Sequence, residues 1–184
     1  MDMSLDLAEK ILNSRFIPDV VVAILRGGYF VAKLISDFLG LDNIATLEIK
    51  FYKGIGEKAE RPIVIHPITF DLRDKKTLVV DDVADSGRTL QVAIDIVRLH
   101  GAKEVRTATL FFKPWSITMP DYYVEETEKW IVFPWEIGET IRDLKKKLLG
   151  YDRVLNELKL YEAFNTNSID KLLNIIKKVE HRLR

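Results

Sequence analysis

Cysteine is absent from all 184 residues. That excludes disulfides and thiolate metal sites as supports for the fold, and with them a secreted disulfide scaffold. An excess of charge of one sign is missing as well, since 28 basic residues stand against 28 acidic ones. Without a global basic field, general nucleic-acid binding is not expected, and any anion site has to be local. Long apolar runs are lacking too. VVVAIL at 20–25 is among the longest and falls far short of the ~20 residues of a membrane span. The segment MDMSLDLAEK carries acids before its first lysine and lacks the apolar core of a signal peptide. The expectation is a soluble, cytoplasmic protein with neither membrane nor nucleic-acid partners. Histidine is scarce: His66, His100 and His181 are scattered without ligand spacing, so no histidine metal site is expected.

Apolar residues make up 47% of the chain, enough for one substantial core and a small appendage. Residues 20–25 form a continuous β-branched run without alternation, as a strand covered on both faces requires. The chain then turns at Arg26, Gly27 and Gly28, and Phe30, Leu34 and Phe38 follow at helix spacing, with Gly40 as the stop. IATLEIKFY at 44–52 predicts a second strand. GIGEKAERP after it, rich in glycine and mixed charge, predicts a mobile loop. IVIHPITF fits a short strand or hairpin that Pro67 demotes to an edge. TLVVDD predicts a strand, residues 89–100 a helix, VRTATLFF at 105–112 another strand, and DYYVEETEKWIVFPW one or two more short strands. This alternation predicts an α/β fold: a mostly parallel, twisted sheet of about five strands flanked by helices. After residue 138 the pattern becomes helical only, giving an expected division into 1–138 and a helical extension, 139–184. Two or three packed helices are expected there, with Thr140 and Asp143, and then Asn167 and Asp170, as candidate starts.

The stretch TLVVDDVADSGRTL at 77–90 ends an apolar strand with two adjacent acids. Buried carboxylates repel each other and lose hydration unless sugar hydroxyls or a hard cation satisfy them. A lone aspartate here would read equally well as a turn or cap. Asp81 and Asp82 followed by Asp85, Ser86, Gly87 and Thr89 do not. The latter group opens a helix, where backbone amides and hydroxyls can converge on a phosphate, and glycine allows close backbone approach.

VVDDVADSGRT resembles the phosphoribosyl pyrophosphate (PRPP) signature of type I phosphoribosyltransferases, with Ser86 in place of a commoner threonine. LRGG at 25–28, FYKG at 51–54, KPW at 113–115, DYYV at 121–124 and KWIVFPWE at 129–136 resemble the purine branch of that family. The resemblance covers about residues 18–138 and implies roles by position. Asp85, Ser86, Gly87, Arg88 and Thr89 would hold the 5-phosphate, with Asp85 also the general acid/base. Asp81 and Asp82 would take ribose hydroxyls and help place magnesium, the implied cofactor. Arg26, Gly27 and Lys53 would meet pyrophosphate, at a turn where a strained or cis peptide is frequent, and Lys58 and Arg61 would ride on a closing loop. Lys113 would face an oxygen at ring position six, Trp130 would stack on the base, and Ile131 would accept from an exocyclic amine. Taken only as residues, Lys113 at a strand end reads as a solvated lysine and Trp130 as core, and Trp115 and Trp135 are assigned to packing. The implied function is purine salvage from PRPP in a homodimer, with 6-oxopurines slightly favoured. An adenine enzyme on the same scaffold and a non-catalytic PRPP-sensing regulator remain open.

Overall fold

The computed structural model describes residues 1–52, 61–148 and 150–182. They fall into two compact units, Met1–Glu128 and Lys129–Arg184. The division comes earlier than the change of sequence pattern at 138. Its physical reason is that the last strand ends at Glu126, and the chain from 127 to 136 forms neither helix nor strand.

The first unit is an α/β layer structure. In chain order it contains α1 (Asp2–Asn13), β1 (Val20–Ile24), α2 (Gly27–Leu39), β2 (Ile44–Tyr52), β3 (Arg61–His66), β4 (Lys76–Val80), β5 (Val83–Ala84), α3 (Arg88–Leu99), β6 (Glu104–Phe112) and β7 (Tyr122–Glu126). The strands form a seven-stranded sheet of order β3-β2-β1-β4-β6-β5, with β7 paired to β6. All pairings are parallel except β2 with β3. The count exceeds the five or so expected, in part because β5 is a two-residue strand, too short to leave a periodic signal.

The uninterrupted apolar run of β1 has its reason in this order. It lies between β2 and β4, and every one of its residues is buried. Val20, Val22, Ile24, Leu47, Val79, Leu90, Ala93 and Val97 share one core, which ties α3 to the sheet. Pro67 ends the outer strand β3, whose residues are exposed throughout, as the loss of a backbone donor at an edge allows. In α2 the buried stripe is Val31, Ala32 and Ile35, not the more conspicuous series through Phe30 and Phe38, which are 47% and 36% exposed. Small residues let α2 lie close to the sheet.

The second unit holds α4 (Ile137–Leu148), α5 (Tyr151–Glu157), the short α6 (Leu160–Ala163) and α7 (Thr166–Arg182). Ile141, Val154, Leu155, Leu160, Ile169 and Ile176 form its core. The expected helix starts shift upstream. Thr140 already sits inside α4, its amide bonded to the Glu136 carbonyl. For α7 the capping side chain is Asn165, whose Oδ1 accepts from the Ser168 amide at 2.9 Å, not Asn167. Lys145 donates to both Tyr151 Oη and Glu180 Oε2, fastening α4 to α5 and α7. Among the described residues no helix is long and apolar enough to cross a membrane.

Candidate active site

The carboxyl ends of β1, β4 and β6 carry the residues with chemistry to offer, the place where parallel sheets bind ligands. Strand β4 stops at Val80, yet the backbone ladder to β6 continues through the acids. The Asp81 amide donates to the Ala108 carbonyl at 3.0 Å, and the Leu110 and Phe111 amides donate to the Asp82 carbonyl at 3.1 and 3.2 Å. β5 then resumes on the same edge of β6, pairing Val83 with Phe111. Asp81 and Asp82 are thus fixed by main-chain bonds on a rigid element. Asp81 Oδ1 also accepts from the Asp82 amide at 3.0 Å, and Asp82 is 7% exposed.

The turn after β1 presses against these acids. A Cβ on Gly27 would collide with the Asp82 carboxylate, and one on Gly28 would lie 2.5 Å from the Val80 carbonyl oxygen and 2.8 Å from Asp81 Cα. Only glycine permits that approach, and it brings Arg26 and Gly27 beside the acidic pair. The Leu25–Arg26 peptide is cis.

From Asp85 the chain enters a loop that opens α3. Gly87, with φ of 74°, precedes its first turn, where amides without intrahelical acceptors and the positive end of the helix dipole favour an anion. Asp81, Asp85, Ser86, Gly87 and Thr89 line a cavity of about 70 Å³ there. Arg88 is not among the lining residues. Its guanidinium lies over the Phe51 ring, 4.5 Å from the centroid, and its amide faces Ser86 Oγ at 3.4 Å.

The segment 113–118 folds over this loop. Its backbone is held by Lys113 N to the Ala84 carbonyl and Ile117 N to the Ser86 carbonyl, both at 3.1 Å. Thr118 Oγ1 donates to Gln91 Oε1 at 3.3 Å. A Cβ at Gly87 would run into Ser116 Oγ and would lie 2.6 Å from Thr118 N, a second reason for glycine there. Lys113 is buried, at 6% exposure, which corrects the solvated-lysine expectation. Its Nζ lies 5.5 Å from the Trp115 ring centroid. Trp115 corrects its assignment to packing: it is 54% exposed, and its indole Nε1 donates to Asp85 Oδ1 at 2.9 Å. The available signal was its place, one residue beyond Pro114, at the end of a strand neighbouring the acidic one.

Lys53 and Lys58 lie outside the described residues, and Arg61 is exposed at the start of β3. Trp130 and Ile131 belong to the second unit. Trp130 sits in no strand and is 83% exposed, so it is not a core residue. With Glu136, Glu139, Thr140, Asp143, Leu144 and Lys147 it lines a cavity of about 440 Å³ within that unit. Trp135 does pack, stacked on Phe133 at 4.9 Å between centroids. Among the described residues no group of three or more His, Cys, Asp or Glu could hold a metal ion.

The geometry has relatives. A purine phosphoribosyltransferase from Pyrococcus horikoshii is 46% identical and superposes with a TM-score of 0.67, over 73% of this chain and 86% of that one. Xanthine-guanine phosphoribosyltransferases from Desulfotalea psychrophila and Cereibacter sphaeroides are 31% and 33% identical. Those alignments span 71% and 64% of this chain, and 77% and 69% of the respective relatives. The model of the phosphoribosyl transferase domain matches residues 4–141. The acids at the carboxyl ends of the strands and the cavity-lined loop opening α3 lie within that match, and the chain belongs to the phosphoribosyltransferase family.

Proposed function

We propose that the protein transfers phosphoribosyl from PRPP to a purine base, releasing pyrophosphate and forming a nucleoside monophosphate, with 6-oxopurines as its substrates. The observation that carries this reading is the cavity of about 70 Å³ at the start of α3, with Asp81 and Asp85 on its rim. In this assignment the amides and hydroxyls of Ser86, Gly87 and Thr89 bind the 5-phosphate, with Arg88 adding its amide. Asp81 and Asp82 accept the ribose hydroxyls. Arg26 and Gly27 receive the pyrophosphate end, together with Lys53. As the bond from the anomeric carbon to pyrophosphate breaks, an oxocarbenium-like centre develops, and the purine ring nitrogen forms the new bond. Asp85 takes the proton that the purine ring loses, returning it in the reverse direction. Excluding water protects that centre from hydrolysis, the role assigned to the loop carrying Lys58 and Arg61.

Magnesium is the implied cofactor. Asp81 and Asp82 fit it as hard oxygen donors, and because the described residues offer no larger carboxylate group, PRPP oxygens and water would complete its shell. Bound there it would supply charge neutralisation for the departing pyrophosphate.

Lys113 supports the oxopurine preference. An ammonium has donors and no acceptor, so it suits a carbonyl at ring position six and opposes the amino group of adenine. The names of the xanthine-guanine relatives support the same preference. Initial rates with guanine, hypoxanthine, xanthine and adenine, each with PRPP and magnesium, test the proposal. Turnover of the oxopurines is expected. Conversion of adenine alone would overturn the lysine assignment, and conversion of none would overturn the transferase reading.

A further inference from the structure

We propose that Trp115 is a positioning residue for the carboxylate of Asp85, a role that rests on the transferase reading above. The indole N–H is a donor only, and it is directed at Asp85 Oδ1 at 2.9 Å. Burial does not explain the tryptophan, because more than half of its surface is exposed. Nor does the segment need it to stay in place, since Lys113 N, Ile117 N and Thr118 Oγ1 already fasten 113–118 to the phosphate loop and to α3. The Lys113 ammonium, 5.5 Å from the indole centroid, restrains the ring from the side of the buried lysine. An Asp side chain can rotate about its last bond. Anchoring one oxygen fixes the carboxylate plane and directs the other oxygen toward a proton on the substrate. A proton acceptor held in this way reaches the reacting geometry without first giving up rotational freedom.

The role can be separated from simple packing in the full-length enzyme. Two changes at position 115 are compared: Trp115→Phe, and replacement of the indole by its sulfur isostere benzothiophene, which deletes only the N–H. Both are expected to lower kcat about ten- to hundredfold, the size of a hydrogen bond to a charged group, with KM for PRPP unchanged. In an Asp85→Ala background, Trp115→Phe is expected to cause no further loss, because its effect passes through the missing carboxylate. A wild-type kcat in the benzothiophene enzyme would overturn the proposal. So would an equal loss from Trp115→Phe with and without Asp85. If Trp115→Phe fails to fold, the shape-conserving isostere still decides. An inactive wild-type enzyme would defeat the transferase reading and this role together, whereas an active enzyme indifferent to the N–H would defeat this role alone.

Discussion

At the scale of single residues, the site depends on carboxylates whose surroundings differ. Asp82 is buried beside a glycine that admits it, whereas Asp85 is bound by an indole N–H at the rim of the cavity before α3. Asp85→Asn preserves shape and hydrogen bonding to Trp115 while removing the proton acceptor. It is expected to lower kcat by about 10²- to 10⁴-fold, the range of general acid–base catalysis, with an unchanged melting temperature. Stopped-time assays with guanine and PRPP check this, and a near-normal rate would remove Asp85 from the chemistry. Away from the site, Asp71 shows how one ion pair sets a titration. Hydrogen bonds from the Arg73 side chain and amide, at 2.7 to 3.2 Å, hold its carboxyl down to about 2. A carboxyl whose folded value is depressed contributes stability above its unfolded pKa of ~3.9 and loses that contribution as pH falls toward the folded value. Carbon-detected NMR titration should place the Asp71 midpoint near 2, and Arg73→Ala should raise it part of the way toward ~3.9, because the amide of residue 73 still donates to the carboxylate.

At the scale of elements, legibility followed the strength of the pattern. β1 and β4 were readable because their continuous apolar runs suit a sheet covered on both faces, and β2 because Ala45, Leu47 and Ile49 are buried at alternate positions. Helix α1 was not, although Ser4, Leu7, Ala8 and Ile11 are buried at helical spacing, because serine and alanine carry little apolar signal. The same limit hid the working face of α2, where Ala32 and Gly28 are buried while phenylalanines point outward. The placement of the acids and of the loop that opens α3 was legible from their order along one strand and turn. Trp115 was not, because its bond to Asp85 joins residues thirty apart in sequence, and only folding brings the end of β6 over the loop after β5. The glycines of the β1–α2 turn allow a direct test of element packing. Gly28→Ala sets a methyl against backbone, the Val80 carbonyl and Asp81 Cα, neither of which can rotate aside. A loss of about 1–3 kcal/mol is expected from such overpacking, measured by urea denaturation, along with weaker PRPP binding as Asp81 shifts. Full stability with normal PRPP affinity would mean that α2 can retreat from β4 at little cost.

At the scale of the whole molecule, charge balance separates an enzyme from a nucleic-acid-binding regulator built on the same site. The chain is neutral overall, and residues 139–184 contain 11 basic and 7 acidic side chains. Inside the second unit Lys145 pairs with Glu180 and Lys146 with Asp143. A protein that neutralises several phosphates releases their counterions, so its affinity falls steeply and linearly on a log–log salt scale. The net excess in 139–184 is four, 11 basic against 7 acidic, small beside the clustered single-sign charge that nucleic-acid binding draws on. Fluorescence anisotropy with labelled single- and double-stranded oligonucleotides is expected to show no saturable binding at ~150 mM salt, where the Debye length of ~8 Å screens scattered surface lysines. The same preparation is expected to turn over PRPP. Saturable binding with a steep salt slope, in protein that converts no purine, would transfer the function of the anion site from catalysis to sensing and make the helical unit its output.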